Sequence, residues 1–182
     1  DVNIGAADHG FKIIGIDNGN PGIENAAVYI RGTHDGLDIR GNEIVANGDS
    51  GLLAEYGGAI TNATIDGNIF SGQTFVGANP AGNGFAEQFT LANVPRQLVV
   101  MGSGAGTTAS NHITFSNNLI IGTAGGVNSS GQEQGNTLVT IDAADSTFTG
   151  NTFNGTTTRD ANSLRARGAN NVVADNEFIS HS

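Results

Sequence analysis

LDIRGNEI (37–44), ATIDGNIF (63–70), ITFSNNLI (113–120), STFTGNTF (146–153) and NVVADNEF (171–178) are copies of one short phrase. Each carries an asparagine, at Asn42, Asn68, Asn118, Asn151 and Asn176. An apolar residue stands three places before it (Ile39, Ile65, Phe115, Phe148, Val173) and another two places after it (Ile44, Phe70, Ile120, Phe153, Phe178). The spacings between the asparagines are 26, 50, 33 and 25, which fits a period near 25 with one weak copy and one insertion. A period of this length means stacked supersecondary units, because one unit of this size leaves its apolar side unburied.

Working outward from the phrase, a shift of 26 places lays residues 2–18 on 28–44 without a gap. Val2 then falls on Val28, Ile4 on Ile30, Gly10 on Gly36, Phe11 on Leu37, Ile13 on Ile39 and Gly15 on Gly41. Each repeat reads as two short strands, such as Val28-Tyr29-Ile30 and Leu37-Asp38-Ile39, separated by a turn. Strand alternation sends Val28, Ile30, Leu37 and Ile39 inward and Tyr29, Asp38 and Arg40 outward. The predicted architecture is a single all-β domain over 1–182, a parallel solenoid of about seven coils and roughly 34 Å in length at about 4.8 Å per coil. Residues 72–97 interrupt the period as a degenerate coil around Asn93 or a lateral loop, and 122–136 is a polar insertion.

Composition narrows the function classes. A net charge of −10, with one lysine (Lys12) and six scattered arginines, argues against nucleic acid, whose phosphates need clustered cations. There is no cysteine, so neither disulfides nor thiolate chemistry arise. No apolar run approaches the roughly 18 residues that a membrane-spanning helix needs, so no membrane insertion is expected. The chain opens at Asp1 without a methionine, as a mature or excised product would.

The repeated phrase resembles the parallel β-helix repeat family, whose coils commonly carry an xIxIxxNxI phrase. The resemblance spans nearly the whole chain and implies a right-handed helix, in keeping with the general preference of parallel crossovers for that hand. It also implies that Asn42, Asn68, Asn118, Asn151 and Asn176 stack as a structural ladder, hydrogen-bonding one coil to the next. It implies little about activity, since the family holds polysaccharide lyases, hydrolases, epimerases, tailspikes, adhesins and non-catalytic surface domains.

Candidate chemistry lies in two places. Counting back from each asparagine gives one outward column of Asp38, Thr64, Thr114, Thr147 and Val172, and another of Arg40, Asp66, Ser116, Thr149 and Ala174. The 26-residue shift adds Lys12 to the first, so Lys12, Asp38, Arg40 and Asp66 should share one exposed face. The family's lyases use a Lys or Arg as base beside acids that hold calcium against a sugar carboxylate, and these four residues are the candidate catalytic set under that reading. The alternative is a ladder of surface ion pairs. Lyase, polygalacturonase and epimerase signatures are missing; Val94-Pro95-Arg96 is only a fragment of the first. The same shift sets Asp8 against His34 and His9 against Asp35, a candidate metal set. Calcium candidates are Asp17-Asn18-Gly19-Asn20 with Glu24, and Asp142 with Asp145, but the first reads better as a turn.

The sequence favours a non-catalytic structural or adhesive module of a secreted or cell-surface protein, with no obligatory cofactor. Val2 and Ile4 already follow the repeat, and Phe178-Ile179 completes the last copy. Neither end carries an amphipathic capping helix, so coils are expected to stack end to end into a filament or to belong to a longer solenoid. The alternatives are a polysaccharide-active enzyme of lyase, hydrolase or epimerase type, and a glycan-binding module using Tyr29 and Tyr56.

Overall fold

A strand as short as Thr64-Ile65-Asp66 turns one side chain inward and two outward, and it gains stability only when laddered on both sides. The computed structural model shows how that laddering is achieved. It describes residues 2–15, 26–47, 50–54, 59–73, 98–102, 110–124, 126–127, 133–134, 137–157 and 162–179. Sheet A joins, in order, Val2–Ile4, Leu37–Arg40, Thr64–Asp66, Thr114–Ser116, Thr147–Thr149 and Val172–Ala174. Sheet B joins Lys12–Ile14, Glu43–Asn47, Ile69–Gln73, Leu119–Ile120, Thr152–Phe153 and Glu177–Phe178, with Thr123–Ala124 and Thr156–Thr157 alongside. Sheet C joins Ala26–Ile30, Ser50–Ala54, Val99–Met101, Val139–Asp142 and Leu164–Arg167.

Pairing within all three sheets is parallel. The chain visits A, B and C in turn and returns to A one level on, which is the arrangement of stacked β-coils. Among the described residues there is no helix, and none long and apolar enough to cross a membrane. Sheets A and B have six levels each and sheet C five among the described residues, where about seven coils were expected.

Three sheets, rather than two strands per repeat, change the register of the first coil. Val2 pairs with Leu37, Lys12 with Glu43 and Val28 with Leu52. The uniform 26-residue shift of residues 2–18 is therefore corrected. It fails because the partner spacings are unequal: 35 residues from Val2 to Leu37, 31 from Lys12 to Glu43 and 24 from Val28 to Leu52. The first coil also takes residues 5–11 to pass from sheet A to sheet B, where later coils take two, such as Gly41-Asn42 and Gly67-Asn68. Thr64–Asp66 pairs directly with Thr114–Ser116, so Asn68 and Asn118 are one level apart despite their fifty-residue separation. Most of 72–97, including Asn93, lies outside the described residues. Within 122–136, Gly126–Val127 and Glu133–Gln134 form a small antiparallel pair.

The inward columns are the core. Ile39, Ile65, Phe115 and Phe148 from sheet A, and Ile44, Phe70, Ile120 and Phe153 from sheet B, are all fully buried. Leu52, Val99 and Val139 close the third side. The aromatic rings pack across levels, with Phe70 and Phe115 centroids 6.2 Å apart. The inside–outside reading of 28–40 holds: Val28, Ile30, Leu37 and Ile39 are buried, while Tyr29 is exposed and Asp38 and Arg40 are half-buried.

The passage from A to B needs a left-handed backbone residue, and the sequence supplies one at every level from the second on. Gly41, Gly67, Asn117, Gly150 and Asp175 have φ between 53° and 66°, a region open to Gly and tolerated by Asn and Asp. The ladder asparagine follows immediately. Asn42 donates its backbone N–H and its Nδ2 to Asn68 Oδ1, at 2.9 and 3.1 Å. Asn68 does the same to Asn118, Asn118 to Asn151, and Asn151 to Asn176. Each Nδ2 also donates to a carbonyl of the preceding level, and those of Asn42, Asn68, Asn151 and Asn176 to one of their own level as well, as Asn68 does to Ile39 and Asp66. Asn42, Asn68, Asn118 and Asn151 are each 1% exposed, so their amides are satisfied entirely within the protein.

Truncating a middle rung such as Asn118 leaves the buried N–H groups of Asn68 without their acceptor and the Ile65 carbonyl without the side-chain donor. Asn118→Ala is expected to destabilise the domain by about 3 kcal/mol, read as a lowered urea midpoint. Thr114→Ala, on the half-exposed outer face, is the control and should change it by no more than about 0.5 kcal/mol.

Candidate functional site

On the outer side of sheet A, Asp38 stands over Thr64 and Arg40 over Asp66. Side chains on one strand two residues apart point the same way, and Arg40 Nε donates to Asp38 Oδ1. Arg40 Nη1 also lies 3.7 Å from Asp66 Oδ2. On the next level, Ser116 Oγ and Asn117 Nδ2 donate to Asp66 Oδ1 at 2.7 and 2.8 Å. Asp38, Arg40 and Asp66 thus share a face, and their charges are directed at one another. Such half-exposed pairs add at most about 1 kcal/mol each.

Lys12 is not among them, and its placement beside Asp38 is corrected. It lies on sheet B, where its Nζ donates to Glu43 Oε1 at 2.7 Å. The position that continues the Asp38 column into the first level belongs to Asn3. The proposed pairing of Asp8 with His34 and His9 with Asp35 is also corrected. Asp8 and His9 lie in the A-to-B turn of the first coil, where His9 N–H donates to the Ala6 carbonyl. His34–Asp35 instead pairs with Ile60–Thr61 at the corner between sheets C and A. His34 Nε2 bonds the Arg31 carbonyl at 2.8 Å. The two pairs therefore occupy different corners, and no group of three His, Asp or Glu suited to a metal occurs among the described residues. Asp17, Asn18, Gly19, Asn20 and Glu24 lie outside them.

Asp35 takes part in a second column of turns. Thr61 Oγ1 and Asn62 Nδ2 donate to Asp35 Oδ1 at 2.8 and 2.7 Å. The Asn62 bond, then the Thr61 bond, favours the ionised form and holds this carboxyl below its ordinary 3.8. Asn62, His112, Asp145 and Asn170 have φ between 50° and 58°, so His112 is explained by the backbone rather than by imidazole chemistry. Its Nδ1 lies 2.6 Å from Asn111 Oδ1. Beside this corner runs a shorter polar ladder that the sequence reading missed. Ile113 N–H donates to Ser146 Oγ, Ser146 N–H to Asn171 Oδ1, and Asn171 Nδ2 to the Ala143 carbonyl.

Asp142 was read as a calcium candidate with Asp145, and the structure gives it a different partner. Arg167 stands beside it one level on, and its Nε and Nη2 donate to the two carboxylate oxygens. The Asp142 side chain is 2% exposed, so the ion pair is buried on its acidic side. The bonded carboxylate raises the guanidinium's affinity for its proton. The separation of 25 residues, one period, was the available signal. Asp145 instead accepts from Asn170 Nδ2.

The outward positions of sheet C are also unusual. Leu53, Val100 and Thr140 stack in one outward column, Tyr29 precedes them and Arg165 follows. Leu53, Val100 and Thr140 are buried, so sheet C is shielded on both faces at these levels. Thr140 Oγ1 is buried without a hydrogen-bond partner.

Compared with known proteins, the chain matches no family model, no curated protein and no solved structure.

Two outcomes follow from these contacts. Arg167→Ala strands a buried carboxylate and should cost on the order of 3 kcal/mol; in the double variant with Asp142→Ala, the loss should be well short of additive by urea denaturation. Because the folded-state pKa of Asp35 is depressed, its contribution is present above 3.8 and fades as pH falls through the lower folded value. A carboxyl NMR titration should find its midpoint below 3.8, and Asn62→Ala should raise it.

Proposed function

We propose that this chain is a non-catalytic structural or adhesive module of a secreted or surface protein, a right-handed parallel β-helix whose coil stack is continued by further β-coils. Those coils belong either to other copies, giving a filament, or to a longer solenoid. The observation that carries the reading is the exposure of the last described level. Val173 and Phe178 occupy the same inward columns as Phe148 and Phe153, yet they are 50% and 51% exposed, while the latter pair are fully buried. Phe178 already stacks on Phe153, with centroids 4.9 Å apart and planes within 4°. The same level carries the outermost strands of sheets A and B. Core-type side chains and a strand edge left open together are what a further coil covers.

The polar groups support the same reading. Asp38, Arg40 and Asp66 hold one another, Lys12 holds Glu43, and Asp142 holds Arg167. Each has a structural partner between adjacent strands or along one strand, and none requires a substrate or a cofactor to account for its position.

Where other copies supply those coils, the purified chain should form long, uniform assemblies in negative-stain electron microscopy, with light scattering that grows with concentration. The same sample should leave polyuronates uncleaved with and without calcium. Monodisperse monomers at all concentrations would remove the filament form of the proposal, and turnover would replace it with a polysaccharide-active enzyme.

A further inference from the structure

Sheets A and B use their outward positions differently. Sheet A turns Asp38, Thr64, Thr114 and Thr147 outward in one column and Arg40, Asp66, Ser116 and Thr149 in the other. The middle levels of sheet B are apolar instead. One outward column runs Lys12, Glu43, Ile69, Leu119, Thr152 and Glu177. The next runs Ile14, Val45, Ser71 and Ile121. Neighbouring strands cover part of such side chains. Ile69 and Ile121 have a level on either side and are still 38% and 45% exposed. This patch lies on the flank of the stack, so it is the same whether or not further coils precede Val2 or follow Phe178.

We infer that the outward face of sheet B is a self-association surface. A second copy packs on it face to face with its stack running the opposite way, about a two-fold axis parallel to the strands and between the levels of Ile69 and Leu119. The pairing goes beyond the end-to-end reading and does not depend on it.

In that arrangement the face is its own complement. Ile69 meets Leu119 of the second copy, Glu43 meets Thr152 and Lys12 meets Glu177, each contact occurring twice, as a two-fold requires. In the adjoining column Ile121 meets Ser71 beside the Ile69–Leu119 contact. Apolar side chains thus fill the centre and opposite charges the rim, the usual division within a protein interface. Lys12 also keeps Glu43 of its own chain, 2.7 Å away. With the axis along the stack and over this column, every level would meet itself. Lys12 would then face Lys12 and Glu177 face Glu177, and like charges so placed are unfavourable. Charge therefore selects the antiparallel pairing. Asn47 and Thr123 belong to a third, polar column of the same face. Three columns over the six levels of sheet B span about 29 Å by 20 Å. Two such faces bury roughly 1,200 Å² together, the lower bound for a specific complex. A reversible dimer is expected at that size.

The test is sedimentation velocity of the full chain over a range of concentrations, with circular dichroism confirming that each variant is folded. The unmodified chain should show a concentration-dependent dimer. Where coils also stack end to end, negative-stain images should show stacks lying in side-by-side pairs. Ile69→Lys with Ile121→Lys puts charge at the centre of the face and should weaken pairing about tenfold or more, leaving single molecules or single stacks. Lys12→Glu and Glu177→Lys should each impair pairing alone, because each brings like charges together twice. An equimolar mixture of those two variants should restore a dimer holding one of each. An unmodified chain that never pairs side by side would overturn the inference and leave the face to a partner of another kind. Pairing that survives Ile69→Lys with Ile121→Lys, or charge variants that fail to pair when mixed, would overturn it too, whatever the result for end-to-end stacking.

Discussion

The buried asparagine amide is the contact on which the rest of the structure depends. A carboxamide shut away from water must place two acceptor sites and two N–H groups, and in this chain the neighbouring coils provide for all of them. Asn68 Oδ1 receives the backbone and side chain of Asn42, and Asn68 Nδ2 reaches carbonyls on its own level and the one before. These bonds form only when adjacent coils are one strand spacing apart and in a single register. The ladder therefore aligns the turns between sheets A and B, and the turns align the strands that leave them. A one-residue slip would misplace the amides and expose the isoleucine and phenylalanine columns together.

The turns show how different residues meet one backbone demand. The position before each ladder asparagine is Gly41, Gly67, Asn117, Gly150 or Asp175, and all are left-handed. Glycine adopts this conformation without steric cost, and Asn or Asp adopts it at a cost their short polar side chains can offset. Asn117 does so by donating to Asp66 on the level before. The corner between sheets C and A repeats the solution with Asn62, His112, Asp145 and Asn170. Asn62, Asn117, Asp145, Asn170 and Asp175 are thereby accounted for by backbone geometry, and a polar residue at such a corner is weak evidence for a binding site.

Charge in this protein follows the same one-period logic. Lys12 and Glu43, Arg40 and Asp66, and Asp142 and Arg167 each join consecutive levels. The first two pairs are half-exposed and add little stability. Burial of Asp142 makes the third the consequential one, since removing its partner would leave a desolvated charge. The outer side of sheet C, with Leu53, Val100 and the unpartnered Thr140 hydroxyl buried, departs from the rule that outward residues meet solvent.

Periodicity alone determined the parallel stacking, the inward columns from Ile39 to Phe148 and from Ile44 to Phe153, and the asparagine ladder, because these features recur in fixed positions around a single residue. Asp38, Arg40 and Asp66 were legible as neighbours for the same reason. What the sequence left open were the quantities set by connections of unequal length. Lys12 pairs with Glu43, 31 residues on, and so lies on sheet B, while residues 5–11 form a long first turn that holds Asp8 and His9 away from His34 and Asp35. The strand Val28-Tyr29-Ile30 of the third sheet was legible, but its continuation was hidden, since the later strands of that sheet follow connections that share no length, as between Asn47 and Ser50 or Gln73 and Val99. Loop length costs little free energy, so it varies without a periodic trace. The final pairing was decided by tertiary structure, where burying apolar columns and satisfying backbone hydrogen bonds select one register.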